Sequence, residues 1–219
     1  VATGVWPVEK VRDRNADYQP AGVEWVKDMV AGFDPAANTV ITAGGQRIPY
    51  DFLVVATGVH LDFAQIEGMD VGAIGSNGLA SVYPGPQAAQ ATWAAMQAFT
   101  AKGGNAVMTL PATPLKCAGA PLKMSFMLRD RLLKAGTLGA SKISFQSALG
   151  NVFGVKVVND NVLERWKALG SDSPVARVRS AAGATSYFRA RDRFLAERRD
   201  SERPGLLLGV LAADCAPIV

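Results

Sequence analysis

The residues best suited to chemistry lie in one short loop, PATPLKCAGAP, at positions 111–121. Cys117 follows Lys116 directly and precedes a segment that predicts a helix. A helix dipole and a neighbouring ammonium group both favour the thiolate, which is the form of cysteine that attacks or exchanges with sulfur. The three prolines of the loop favour a rigid, shaped backbone. A buried and inert cysteine is the alternative, and the local sequence leaves both interpretations open.

A second motif, VVATG, ends at Gly58. The apolar run FLVVA predicts a buried parallel strand, and Gly58 permits a positive φ or the close approach of a ligand to the backbone. Nucleotide-binding α/β proteins bind their ligands beyond the carboxyl ends of such strands, so Thr57 and Gly58 are candidate cofactor-binding residues. An ordinary junction between a strand and a loop is the alternative.

The sequence offers little for other chemistries. His60 is the only histidine, and one histidine with the distant Cys117 and Cys215 cannot assemble a metal site. No Walker-type loop occurs, and GMDVGAIG lacks the strand–glycine–helix context of a dinucleotide fingerprint. The arginine-rich C-terminal region matches no known nucleic-acid-binding module, so it predicts a solvated or disordered face and no binding of nucleic acid.

The elements that must position these motifs alternate between strand and helix. Residues 23–56 predict a β-meander that leads into the buried strand. The downstream pattern, typical of a doubly wound α/β domain, predicts helices at 86–100, 121–136 and 159–169 and strands at 103–110 and 141–148. The expected core face of the helix after the cysteine loop consists of Leu122, Phe126, Leu132 and Leu133.

Composition bounds the class of protein. The chain has 219 residues, a net charge of +4 and two cysteines, which excludes a disulfide-based secreted scaffold. No apolar run approaches the roughly 18–20 residues of a spanning helix. The N-terminus shows no targeting signal. Residues 170–219 contain eight arginines and no lysine, whereas residues 1–169 contain nine lysines and six arginines. The C-terminal region therefore differs in composition from the rest of the chain.

Six segments in order resemble a known family: PAGVEWVKDMVAGFDPAANTV, YDFLVVATGVHLDFAQIEGM, AIGSN, TWAAMQAF, NAVMTLPATPLKCAGAPLKMSFML and ISFQSALGNVFGVK. Together they resemble sulfide:quinone oxidoreductase, in the branch shared by mitochondria and some bacteria. The resemblance covers residues 1–168. The cysteine loop and FGVK are specific to that branch, while the ATG turn is shared with the wider FAD-dependent pyridine nucleotide-disulfide oxidoreductase superfamily.

The resemblance implies a chemistry. A family cysteine in this loop lies at the flavin face and forms a sulfur bridge with a second, downstream cysteine, so Cys117 is the expected catalytic residue. Thr57, Gly58 and Lys116 are the expected cofactor-binding residues, and FAD is the expected cofactor. Sulfide, quinone and a sulfur-acceptor thiol are the expected partners. The family implies peripheral contact with the mitochondrial inner membrane or the bacterial plasma membrane.

The resemblance also implies a partial α/β fold, a Rossmann-like, three-layer FAD/NAD(P)-binding flavoprotein with two domains. Residues 1–84 are expected to form a partial FAD-binding domain without its Gly-rich strand and helix. Residues 85–169 are expected to form a second dinucleotide-binding-like domain. Residues 170–219 are expected to be a non-homologous, poorly ordered tail, in which Cys215 is not the second redox cysteine. The expectation is therefore a fragment that is inactive and retains no FAD; a non-catalytic remnant and a related NAD(P)H-dependent flavoprotein are the alternatives.

Overall fold

The structure is a computed structural model that describes residues 1–63, 69–110, 117–147 and 151–169 and the backbone of a strand at 205–209. The chain divides into two compact units. Among the described residues, one unit contains residues 12–60, and the other contains residues 1–11 together with those between 61 and 209. The domain boundary drawn at residue 84 remains a prediction.

The unit of residues 12–60 is built on a three-stranded antiparallel meander. Its strands are β1 Val30–Asp34, β2 Thr39–Thr42 and β3 Arg47–Pro49, hydrogen-bonded in that order. The Asp34 carboxylate accepts a hydrogen bond from the Ala37 N–H at 3.1 Å, and Asn38 has a φ of 46°, so DPAAN makes the turn between β1 and β2. The predicted meander is confirmed for residues 30–49, whereas residues 23–29 of the predicted span form no strand.

Asp28 fastens the second turn of this meander. Its carboxylate accepts hydrogen bonds from the N–H of Gly44 at 2.9 Å and from the N–H of Met29 at 2.8 Å. The side-chain hydrogen bond with Thr42 and these two backbone donors lower the pKa of Asp28 below its usual value of 3.8. The turn is therefore tied to the charged form of one carboxylate.

The apolar segment after β3 departs from the prediction. Residues 53–58 have no regular secondary structure, and Phe52 and Val54 are 94% and 86% exposed. The predicted buried strand FLVVA is therefore wrong. Among residues 12–60 only Thr39 and Thr42 are buried, so the requirements of a buried strand are not met there. A parallel strand is stable only when neighbouring strands satisfy its backbone and other elements cover both of its faces.

The other unit contains a four-stranded parallel sheet and three helices. The sheet has the order β4–β7–β5–β6, with β5 paired to both β6 and β7. The bounds, in chain order, are β4 Leu79–Ala80, α1 Pro86–Lys102, β5 Asn105–Leu110, α2 Gly119–Lys134, β6 Lys142–Ser147, α3 Lys156–Ala168 and β7 Gly205–Gly209. The mixture of parallel and antiparallel sheets with helices is the α/β class predicted from the sequence.

Glycine and proline set the helix ends as the sequence indicates. Helix α1 begins at Pro86, the first helical position, where the missing N–H of proline costs no hydrogen bond. Gly103, with a φ of 73°, ends α1 and donates its N–H to the carbonyl of Phe99 at 2.8 Å. Gly136, with a φ of 72°, follows α2 in the same left-handed conformation.

The apolar core lies on β5 and the helices around it. Met108 of β5, Leu128 of α2 and Phe145 of β6 have no exposed surface, and the Trp166 ring of α3 lies 5.4 Å from that of Phe145. Leu133, predicted to face the core, is 57% exposed. That prediction is wrong because one residue advances a helix by about 100°, so Leu133 points away from the face that carries Leu132.

The C-terminal region contains a strand, β7, that the sequence did not predict. Leu206, Leu207 and Leu208 pair in parallel with Ala106, Val107 and Met108 of β5, and β7 also pairs with β4. The expectation of a tail without regular structure therefore does not hold for Gly205–Gly209. A five-residue apolar run satisfies the open edge of β5, which is costly to leave unpaired. The rest of the tail, including Cys215, lies outside the described residues.

The described part of the chain contains no helix with the length and apolar character needed to cross a membrane. Within the same residues, no group of three or more histidine, cysteine, aspartate or glutamate side chains is placed to bind a metal ion.

Candidate functional site

Cys117 lies at the start of α2 as an exposed free thiol. Ala118 caps the helix with a φ of −63°, and the Cys117 carbonyl accepts the Ala120 N–H at 3.2 Å. The predicted position near a helix N-terminus is confirmed, and the thiol is accessible rather than buried. Lys116 and the rest of 111–116 lie outside the described residues. Lys123 lies on the exposed face of α2.

Tyr83 fixes the backbone of Cys117 from another strand end. Its hydroxyl donates a hydrogen bond to the Cys117 carbonyl at 2.7 Å. Tyr83 comes shortly after β4, and its role was not predicted from the sequence. The available signal was the position of a tyrosine before Pro-Gly-Pro, since the carboxyl ends of parallel strands meet at one edge of a sheet.

The segment that carries Tyr83 is itself tied to α1 by buried hydrogen bonds. Ser81 donates its N–H to the Thr92 hydroxyl at 2.9 Å, and that hydroxyl donates to the Ser81 carbonyl at 2.8 Å. Both residues have no exposed surface. Because a buried polar pair of this kind is costly to break, the strand end has a defined position from which Tyr83 contacts Cys117.

The segment that follows β6 also packs beside the start of α2. The Ser147 hydroxyl donates to the Asn151 carbonyl at 2.7 Å, and the Val152 N–H donates to the Asn159 side chain at 2.9 Å. The Phe153 ring approaches the start of α2, 4.0 Å from the position that a Cβ atom on Gly119 would take. The FGVK segment singled out in the sequence therefore packs beside the helix that follows Cys117.

One buried hydrogen-bond acceptor lies in the segment that follows β6. The side-chain oxygen of Asn151 finds no hydrogen-bond partner among the described residues. The ends of β4, β5 and β6 thus contribute a tyrosine, an exposed thiol and an amide oxygen to the same edge of one parallel sheet. Such an edge is where α/β proteins bind small ligands.

Thr57 and Gly58 belong to the other unit, and both are exposed. Gly58 has a φ of 78°, and no atom lies within 4 Å of the place that a Cβ atom would occupy. The predicted positive φ is confirmed, and the backbone is open to close approach. His60 is also exposed in this unit.

Known proteins match most of this chain. It is 40% identical over 149 residues to the mitochondrial sulfide:quinone oxidoreductase of Mus musculus, covering 66% of this chain and 31% of that protein. The enzyme of the same name from Dictyostelium discoideum is 35% identical over 157 residues, covering 71% of this chain and 34% of that protein. The chain is a homologue of the sulfide:quinone oxidoreductases over part of their length. It spans about a third of the relatives that it matches.

Other comparisons add the fold alone. A chain in the cryo-EM structure of the mitochondrial ATP synthase of Tetrahymena thermophila aligns with a TM-score of 0.56. The alignment covers 82% of this chain and 45% of that chain at 17% identity, so the likeness concerns the backbone architecture. No protein-family model matches the sequence. Homology to the sulfide:quinone oxidoreductases therefore rests on the pairwise matches.

Proposed function

We propose that this homologue contributes the sulfur-handling cysteine of a sulfide:quinone oxidoreductase, with Cys117 as the catalytic residue. The single observation that carries the proposal is the exposed thiol immediately before the N-cap of α2, beside the ends of three parallel strands. Homology over 149 residues with a sulfide:quinone oxidoreductase supports the same assignment. The proposed fold is the two-domain, Rossmann-like flavoprotein fold, with domains at 1–84 and 85–169.

The proposed chemistry begins with a sulfur bridge between Cys117 and a second cysteine. Sulfide attacks one sulfur of the bridge, a new S–S bond forms, and the bridge bond breaks. One cysteine leaves this step as a persulfide, and the other leaves as a thiolate that carries the electron pair. A sulfur-acceptor thiol then removes the extra sulfur. The structure supports a role for the Cys117 loop in this chemistry through the Tyr83 hydrogen bond, which fixes the backbone that bears the thiol.

The exposed backbone at Thr57 and Gly58 fits contact with a flavin, because nothing near Gly58 blocks a planar ligand. Lys116 is the third proposed cofactor-binding residue. Bound FAD supplies a two-electron acceptor that passes electrons on to quinone. The proposed setting is peripheral contact with the mitochondrial inner membrane or the bacterial plasma membrane, and the curated relatives named above are mitochondrial.

The isolated chain is proposed to retain no FAD and to have no quinone reductase activity. The observation that favours this is the exposure of every residue from 51 to 60, which leaves Thr57 and Gly58 without a closed pocket. A site that binds a cofactor tightly buries most of the ligand surface. Flavin absorbance of the purified chain at one FAD per chain would contradict this part of the proposal.

The test of Cys117 uses sulfur transfer to the chain itself. The reduced chain is treated with polysulfide, alkylated and digested, and mass spectrometry follows the gain of one sulfur atom on the Cys117 peptide. We expect the folded chain to react at least about tenfold faster than the urea-unfolded chain, because the Tyr83 hydrogen bond holds the backbone that bears the exposed thiol in one orientation. Equal rates in the two states would contradict the assignment.

A second test uses the full-length gene product that contains this sequence. Cys117→Ser is expected to abolish sulfide-dependent quinone reduction while the flavin stays bound, and Cys215→Ser is the matched control that keeps activity. Activity of the Cys117→Ser protein within about threefold of the parent would exclude a catalytic role. Loss of activity in the Cys215→Ser protein would identify that residue as a further redox cysteine.

A further inference from the structure

Tyr83 lies in the short connection between β4 and α1, and this connection is tied to α1 both before and after the tyrosine. Before it, the N–H and the carbonyl of Ser81 both bond the Thr92 hydroxyl of α1, at 2.9 and 2.8 Å. After it, Gly85 caps α1 with a φ of 131°, a conformation that favours glycine, and Pro86 begins the helix. The position of Tyr83 is therefore set by α1.

The bond between Thr92 and Ser81 is buried, and one hydroxyl serves both backbone groups of the serine. It accepts from the Ser81 N–H and donates to the Ser81 carbonyl, and neither residue has exposed surface. A side chain without the hydroxyl leaves these buried groups without this partner, which is costly. Loss of the Thr92 hydroxyl is thus expected to displace the backbone that leads to Tyr83.

Tyr83 links this segment to Cys117 through two hydrogen bonds of its own. Its N–H donates to the Ser81 hydroxyl at 3.4 Å, and its phenol hydroxyl donates to the Cys117 carbonyl at 2.7 Å. The same carbonyl accepts the Ala120 N–H at 3.2 Å. Two donors from different elements therefore hold one carbonyl oxygen, and with it the peptide plane that follows Cys117.

The orientation of that peptide plane restricts the directions in which the exposed thiol of Cys117 can point, because side-chain rotamers depend on the backbone angles. Sulfur transfer depends on access to the attacking sulfur as well as on the thiolate fraction. A displacement of about 1 Å at a reacting group can lower a rate by about 100-fold. Since the phenol bonds a backbone carbonyl, Tyr83 acts on the orientation of the thiol.

We propose that Tyr83 and Thr92 are positioning residues for the Cys117 thiol. Thr92 fixes the segment after β4, and Tyr83 uses that fixed position to hold the backbone of Cys117. The inference rests on the proposed role of Cys117 in sulfur transfer. It assigns part of the reactivity of a cysteine before α2 to a buried hydroxyl on α1.

The first experiment measures the uptake of sulfur from polysulfide by Cys117 in the full chain, with mass spectrometry of the Cys117 peptide. Tyr83→Phe removes the donating hydroxyl and keeps the ring. It is expected to lower the rate at least about fivefold in the folded chain and to leave the rate in urea unchanged. Equal rates for the parent and the Tyr83→Phe chain in the folded state would overturn the proposal, and so would an equal loss of rate in urea.

The second experiment tests Thr92 with a matched pair of variants. Thr92→Val removes the hydroxyl and keeps a similar shape, whereas Thr92→Ser keeps the hydroxyl and removes a methyl group. Thr92→Val is expected to lower the rate at least about threefold, and Thr92→Ser is expected to react as the parent does. Adding Thr92→Val to Tyr83→Phe is expected to cause no further loss, because the effect passes through the tyrosine. Additive losses, or the same loss in both Thr92 variants, would exclude this role for Thr92.

A spectroscopic readout separates loss of the hydrogen bond from loss of stability. The carbonyl carbon of cysteine is isotope-labelled, and the NMR signal of Cys117 is identified by its absence from the Cys117→Ser chain. This signal is expected to move upfield in Tyr83→Phe and in Thr92→Val and to stay in place in Thr92→Ser. An unmoved signal in Tyr83→Phe would contradict the proposal. If thermal unfolding shows that Thr92→Val does not fold, Tyr83→Phe, which changes one atom of a half-buried side chain, decides the proposal alone.

The outcomes distinguish this inference from the proposed function. If Cys117 of the parent chain takes up sulfur no faster in the folded state than in urea, the proposed function and this inference both fail. If the parent chain reacts fast and the Tyr83→Phe chain reacts equally fast, the inference alone fails and the sulfur-handling role of Cys117 stands.

Discussion

Two segments of similarly apolar composition differ in burial: one is a buried strand and the other is exposed. AVMTL, at residues 106–110, is the buried centre of β5, whereas FLVVA, at residues 52–56, is exposed throughout. Hydrophobicity and β-propensity suit both segments to a strand. The difference is in the neighbours, because β5 is hydrogen-bonded on both sides, to β6 and β7. A buried strand is therefore a property of a sheet and its cover as much as of the sequence.

The largest expected effect is the difference in free energy of unfolding between a substitution in AVMTL and one in FLVVA. Met108→Ala removes a fully buried side chain from β5, and loss of its contacts is expected to lower the free energy of unfolding by about 2–5 kcal/mol. Val54→Ala removes a side chain that is 86% exposed and is expected to change it by less than about 0.5 kcal/mol. Urea unfolding followed by tryptophan fluorescence measures both. Equal effects would show that FLVVA is buried in solution.

Two glycines with positive φ, Gly4 and Gly58, sharpen the comparison, because each lies in a copy of the pentapeptide VATGV, at residues 1–5 and 55–59. Gly4→Ala is expected to destabilise its unit by about 2–4 kcal/mol, because a left-handed residue other than glycine costs about 1–2 kcal/mol and the new methyl group overlaps Trp93. Gly58→Ala introduces only the conformational cost, about 1–2 kcal/mol, in open space. Thermal unfolding of the two variants gives the difference. A larger loss for Gly58→Ala would contradict the close contact between Gly4 and the Trp93 ring.

The smallest expected effect is the pH dependence of the stability of residues 12–60, where Asp28 accepts hydrogen bonds from a turn. Asp28 has a lowered pKa in the folded chain, so its contribution to stability is present above pH 3.8 and is lost as the pH falls through the folded pKa. Hydrogen exchange at the Gly44 amide is expected to accelerate in that acidic range. Asp28→Asn is expected to make the exchange independent of carboxylate protonation. An unchanged acid dependence in this variant would assign it to another group.

The sequence predicted the elements that depend on local signals. Pro86 and Gly103 bound α1, the loop glycine Gly136 follows α2, and the alternation of helices and strands gives the α/β class. These features follow from residues that restrict φ or lack an N–H. The same kind of reasoning gave the left-handed Gly58 and the position of Cys117 before α2.

Features that depend on distant neighbours were not predictable in the same way. FLVVA has the composition of a strand and lacks cover, and Leu133 misses the core face by one helical step. The Tyr83 hydrogen bond joins residues 34 positions apart, which no local pattern reports. The strand β7 is a short apolar run in an arginine-rich region, so composition alone points away from it.

The place of β7 in the sheet has a consequence for biosynthesis. It pairs with both β4 and β5, although Gly205 follows its partner Asn105 by about one hundred residues. A nascent chain that has already released β4, α1 and β5 from the ribosome must wait for this segment before the central hydrogen bonds can form. Contacts between residues so far apart raise the contact order and slow folding. During that interval the edge of β5 is open to chaperones, which recognise exposed apolar strands of this kind.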